Sequence, residues 1–134
     1  MTFKDISQIA GSAMAAQTVR MNTIASNLAN ANAVATTEAE GYRARKPVFS
    51  AVLNGEGVAK VAVLDVVQSS EPLRRVHEPD NPLADADGMV FYANVNEVAE
   101  MADMMAASRA FETNVEVMGR IKSMQQSLIR MGES

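Results

Sequence analysis

Few side chains in this sequence could do chemistry. The single histidine, His77, sits in the run Val76-His77-Glu78-Pro79-Asp80. A serine triad would need it as the base, but no G-x-S-x-G elbow is present to supply the nucleophile. Asp85-Ala86-Asp87-Gly88 has the look of half a calcium loop. With Gly88 at loop position six, however, Leu83 and Asn94 fall at positions one and twelve, where Asp and Glu ligands belong. The segment reads as an Asp/Gly turn instead. Arg43-Ala44-Arg45-Lys46 is a small basic cluster. Alternation along a strand would split it between two faces, leaving solvated groups or ion-pair donors to a neighbouring subunit. Gly55-Glu56-Gly57 lacks the third glycine and the following helix of a nucleotide loop. The absence of Cys excludes disulfides, thiolate zinc sites and thiol nucleophiles together. No catalytic, metal or cofactor-binding residue is assigned, and a non-enzymatic role is expected.

Composition points the same way. At 134 residues the chain fits a single domain. Twelve Lys and Arg against sixteen Asp and Glu leave a net charge of −4, the wrong sign for a nucleic-acid binder. Apolar residues make up 48 %, yet aromatic residues only 4 %, while methionine reaches ten. Aromatic rings bury roughly 150–250 Å² each in ordinary cores. A chain that replaces them with Ala and Met is built for closely approaching helices rather than a thick globular centre. Its apolar runs stop at four or five residues, such as Ala13 to Ala16, far short of the ~20 that span a bilayer, so no membrane insertion is expected. Asp5, Ser7, Gln8, Gly11 and Ser12 interrupt the start, so no cleaved secretory signal is expected either.

The elements follow from periodicity. From Thr2 to about Leu28, Phe3, Ile6, Ala10, Ala13, Gln17, Met21, Ile24 and Leu28 recur at helical steps, and Thr2 with Asp5 forms a capping-box start. Asn27, Asn30 and Asn32 then crowd the exit. They are readable either as a frayed terminus or as a bend whose amides hydrogen-bond the departing chain. Ala33 to Gly41 reads as loop. Tyr42–Leu53 and Val58–Gln68 are Val-rich and predict two strands around a turn at Asn54 to Gly57. Leu73–His77 and Met89–Tyr92 add short strands. From Asn94, taken as the cap, the helical period returns to about Met131 through Met101, Met104, Ser108, Phe111, Val115, Met118, Ile121, Met124 and Leu128. The expected fold is therefore mainly α with a small β insert: an N-terminal helix (1–32), a loop and β-rich insert (33–93) and a C-terminal helix (94–134), the two helices paired as an antiparallel coiled coil.

At 1.5 Å per residue the helices would be about 40 and 55 Å long. Seams of that length cannot both be covered by so small an insert, and helices draw most of their stability from packing of the apolar face. Further copies of the chain are the natural cover, through a heterologous contact that closes as a ring or runs on as a filament. The termini are expected to complete their folding on assembly. The candidate assembly surface comprises Ile6, Ala10, Ala13, Met21, Ile24, Asn27, Leu28, Asn30 and Asn32 at one end of the chain. At the other it comprises Met101, Met104, Phe111, Val115, Met118, Ile121 and Leu128. Small residues (Ala10, Ala15, Ala16 and Ala25; Ala99, Ala102, Ala106, Ala107 and Ala110) would permit close approach by further copies. From the residues alone, an adaptor in the cytosol binding one partner helix is the alternative.

Several runs resemble the bacterial flagellar rod and hook proteins. They are Ser26-Asn27-Leu28-Ala29-Asn30-Ala31-Asn32, Gly41-Tyr42-Arg43 with Lys46-Pro47-Val48-Phe49, and Asn94-Val95-Asn96. The runs from His77 to Gly88 and from Ser108 to Val117 are similar to the proximal-rod branch of that family, as is the loop Ala33 to Glu40. Ala93 and Met89 depart from the family pattern, which has a proline and an aromatic residue there. The resemblance implies a structural subunit of the basal-body rod, exported through the flagellar type III apparatus without a cleaved signal. It implies as neighbours the other proximal-rod proteins, the rod–ring adaptor and the distal-rod protein.

Overall fold

The computed structural model describes residues 2–133. Helix α1 (Phe3–Ala29) starts where the sequence caps it: the Asp5 N–H donates to Thr2 Oγ1 at 3.2 Å and the Thr2 N–H to Asp5 Oδ2 at 2.7 Å. It ends as a specified bend rather than a frayed terminus. Asn30 donates its backbone N–H and its Nδ2 to the Ser26 carbonyl, at 3.1 and 2.8 Å. Helix α2 (Glu97–Glu133) starts later than the Asn94 cap predicts. Asn96 fills that position, its Oδ1 accepting from the Ala99 N–H at 3.1 Å and its carbonyl from the Glu100 N–H at 2.9 Å. Asn94 instead staples two loops, accepting from the Ala44 N–H at 2.7 Å and donating to the Glu71 carbonyl at 2.8 Å. Two asparagines within capping distance were equally eligible by type; the tertiary contact at Ala44 claims the first.

Between the helices lie two sheets. Strands β2 (Arg45–Leu53) and β3 (Ala59–Gln68) form an antiparallel hairpin. Its register passes from Val48 opposite Asp65 to Phe49 opposite Val63, which leaves Leu64 as the extra residue of a bulge. Asn54 Oδ1 accepts from the Glu56 and Val58 N–H groups to close the loop, and Gly57 takes the left-handed conformation (φ 78°) that glycine enters without steric cost. The second sheet has the order β1–β5–β4, all antiparallel: β1 (Val34–Ala35), β5 (Met89–Tyr92) and β4 (Arg74–His77). The segment read as loop thus contributes a two-residue strand and a 3-10 turn (Glu38–Glu40), both too short to carry a period. The Asp85 turn is as expected, with Oδ1 accepting from the Asp87 and Met89 N–H groups and Gly88 at φ 74°.

The helices run antiparallel. Asn27, near the end of α1, meets Glu100, near the start of α2, at 3.2 Å, and Arg20 pairs with Asp103 at 3.6 Å. The hairpin lies against α1, where the Val61 N–H donates to Ser12 Oγ at 3.0 Å. A small core of Val90, Ala93, Leu73, Ala31 and Ala44 sits beneath the three-stranded sheet at the junction of the helices. A Cβ on Gly41 would collide with the buried Leu73 side chain, which would have to shift.

Candidate assembly interface

The seam between the helices is a heptad seam. On α2, Glu100, Met104, Ala107, Phe111, Asn114, Met118 and Ile121 follow one another at alternating steps of four and three, and all are buried or half-buried. On α1, Ala10, Ala16, Thr23, Ile24 and Asn27 are buried. Ile6, Ala13, Met21 and Leu28 are half-buried beside them. Ala10, Ala16 and Ala107, at 3, 3 and 0 % exposure, are buried within one chain rather than held open for further copies, because the two helices of the chain pack there, whereas Ala15, Ala25, Ala99, Ala102 and Ala106 are exposed.

At the sheet end the seam closes on a polar node. Asn27 is fully buried and all four of its bonding positions are filled. Its Nδ2 donates to the Arg45 carbonyl at 2.8 Å and to Glu100 Oε2 at 3.2 Å, while its Oδ1 accepts from the Tyr42 hydroxyl at 2.8 Å and the Arg45 N–H at 3.0 Å. The amide thereby engages both backbone groups of Arg45 as a neighbouring strand would, and ties α1, α2 and the hairpin to one point. Tyr42, Arg45 and Glu100 are absent from the sequence-derived set of residues. A Glu at a seam position between apolar heptad steps was the available signal, since a buried carboxylate needs a partner. Arg43 is likewise held within the chain, donating to the Glu71 carbonyl at 2.7 Å and pairing with Glu38 at 3.3 Å. Arg43 thus finds partners within the chain at the hairpin base, while Arg45 and Lys46 of the same cluster are exposed. Asn30 is engaged at the helix end, and Asn32 is exposed on a polar groove shared with Glu71, Arg74, Asn94 and Glu97.

The remaining sequence-derived residues fall outside the seam. Met101, Val115 and Leu128 are 55, 46 and 53 % exposed. Val98, Met105, Met124 and Ile129 join them, so that α2 carries a second apolar surface. Val98, Met101 and Met105 lie at steps of three and four on the side of α2 away from α1, so they share one face. Met124 and Leu128 continue the line of the α1-facing seam, but α1 has ended: it has 27 residues to the 37 of α2, and every described residue after Ile121 is exposed. No large apolar residue of α1 is exposed in this way.

Elsewhere the site chemistry is modest. Glu78 accepts from the Tyr92 hydroxyl at 2.6 Å and from Asn81 Nδ2 at 3.0 Å. Those bonds hold its carboxyl below the usual range and push the Tyr92 phenol up. Asp85 is lowered by the backbone N–H groups that cap it, Met89 foremost. His77 ends β4, exposed, with Nδ1 3.4 Å from Met89 Sδ. Among the described residues no cluster of three or more His, Asp or Glu side chains could hold a metal ion, and no helix is long and apolar enough to cross a membrane.

Known proteins show where such a molecule belongs. Residues 8–35 match the family described as "Flagella basal body rod protein", and residues 86–131 match "Flagellar basal body rod FlgEFG protein C-terminal". These ranges coincide with most of α1 and of α2. Over 134 residues the chain is 43 % identical to the flagellar basal-body rod protein FlgC of Salmonella typhimurium and 44 % identical to that of Escherichia coli O157:H7. Each alignment covers 99 % of this chain and 100 % of its relative. The FlgC of Agrobacterium fabrum is 34 % identical over 125 residues, covering 92 % of this chain and 90 % of that one. The paired terminal helices and these similarities over nearly the full length agree, and the chain belongs to the FlgC family of flagellar basal-body rod proteins, a structural and non-enzymatic family.

Proposed function

We propose that this chain is a proximal-rod subunit that assembles through its terminal helices into a hollow shaft, transmitting torque by rigid lateral packing and enclosing the channel through which later subunits pass. The observation that carries the reading is the set of apolar side chains of α2 that stay exposed, Val98, Met101, Met105, Val115 and Ile129 on the side away from α1 and Met124 and Leu128 on the overhang, which no described residue buries. An apolar surface of this extent on one helix marks an interaction face. Other copies of this chain, the remaining proximal-rod proteins, the rod–ring adaptor and the distal-rod protein are the partners this reading assigns. Export through the flagellar type III apparatus precedes assembly. A chain with this little aromatic core and two long helices completes its terminal helices when neighbours cover them, since isolated helices are marginal in water.

Complementation tests the reading. In a non-motile strain lacking its own copy, Met101→Asp and Val98→Asp chains fold but fail to enter isolated basal bodies, and motility is lost. Met118→Asp and Ile121→Asp fail as well, through the seam itself. Motile cells carrying Met101→Asp overturn the proposal. Coupled folding is read by circular dichroism across dilution: full helicity that persists unchanged at sub-micromolar concentration contradicts it.

A further inference from the structure

The two apolar patches of α2 differ in charge and direction in a way that makes them partners for each other. Around Val98, Met101 and Met105, exposed by 78, 55 and 64 %, the helix carries Glu97, Glu100 and Asp103, with no Lys or Arg from residue 94 to residue 108. Around Met124 and Leu128, exposed by 54 and 53 %, it carries Arg120, Lys122 and Arg130, with no Asp or Glu from residue 117 to residue 132. Arg120, Lys122 and Arg130 form no ion pair among the described residues, whereas Asp103 is held by Arg20 and Glu100 by Asn27, leaving Glu97 as the freest acid. The patches lie about 40 Å apart along one straight element, so they cannot meet within a chain.

Resting on the rod reading, we propose that the overhang of α2 beyond Ile121 docks on the outer face of the first turns of α2 in a second copy. The overhang continues the α1–α2 seam past the end of α1, so an established helix–helix groove is already half built there. The second copy supplies the missing half with its Val98–Met101–Met105 face. Opposite charges flank the two patches, and the negative end of one helix dipole approaches the positive end of the next. Each copy presents one patch of each kind, so the contact is heterologous and leaves both ends open to further subunits.

The chain has no native Cys, so cysteine cross-linking starts from a clean background. In basal bodies isolated from cells supplying both Met101→Cys and Leu128→Cys chains, oxidation yields a covalent dimer that is lost when either variant is present alone. A dimer from Leu128→Cys alone means the overhangs pair with each other and overturns the proposal. Both variants recovered in basal bodies without a dimer overturn it too, while leaving the rod reading intact; absence of the wild-type chain from basal bodies defeats the rod reading itself. Charge reversal reads the same contact without cysteines. Lys122→Glu with Arg130→Glu lowers incorporation at least about tenfold, and adding Glu97→Lys restores it. A lack of rescue counts against the contact.

Discussion

The two helices come from similar sequence material and end in different situations. Along α1 the exposed residues are confined to one narrow stripe of Lys4, Gln8, Ala15, Thr18, Asn22, Ala25 and Ala29, because α2 covers one side and the β2–β3 hairpin another. Along α2 a single seam is covered, a second apolar face stays open, and the described residues after Ile121 are exposed. Amphipathicity alone therefore does not say which helix assembles the rod. What decides it is whether the chain's own insert has already occupied the face in question. By that criterion the rod reading makes α2 the main face offered to other subunits and gives α1 the larger part in holding the chain together.

Substitutions sharpen the contrast, beginning with the node that joins all three elements. Asn27→Ala leaves the Arg45 backbone groups, the Tyr42 hydroxyl and the Glu100 carboxylate short of partners, and should lower the unfolding free energy by about 3 kcal/mol in urea titration. Ile121→Ala, at the last covered turn of the seam, should lose about 2 kcal/mol or more. Met101→Ala on the open face should change the isolated chain by less than about 0.5 kcal/mol while reducing its incorporation into basal bodies. Equal destabilisation by Ile121→Ala and Met101→Ala would break the distinction between the two faces. Gly88→Ala should cost roughly 1–2 kcal/mol, since φ there is 74° and a Cβ would press on His77 and Pro79. Finer still is the response to acid. Glu78 and Asp85 have folded-state pKa values below the ordinary range, so their contribution is present above the unfolded carboxylate pKa and fades as pH falls through the lowered values. Backbone amide exchange in β4 and β5 should quicken over that acid range before exchange in α1 does.

Much of this was legible in the residues. Capping chemistry placed the start of α1, because Thr2 and Asp5 satisfy each other locally. The Val-rich runs and the Asn54 turn placed the hairpin to within three residues at each strand end. Long-range choices were harder. Met101 and Val115 belong to the sequence-derived stripe, but the covered seam runs through Glu100 and Asn114, one residue away in each case, while Leu128 keeps to the seam line and is exposed because it lies beyond the reach of α1. An apolar count favours methionine over a buried Glu, and only the Asn27 amide, seventy-three positions earlier, makes Glu100 acceptable there. The polar node was hidden for the same reason: Tyr42, Arg45 and Glu100 converge through tertiary contacts that no local period records.

The account rests on α2 presenting an apolar face to other subunits that α1 does not share. Thiol accessibility measures this directly, with Met101→Cys and Thr18→Cys introduced singly and labelled by maleimide. Both should react readily in the purified chain, and in intact basal bodies Met101→Cys should become at least about tenfold less reactive than Thr18→Cys. A Met101→Cys chain that labels in basal bodies as fast as it does when free would contradict the account.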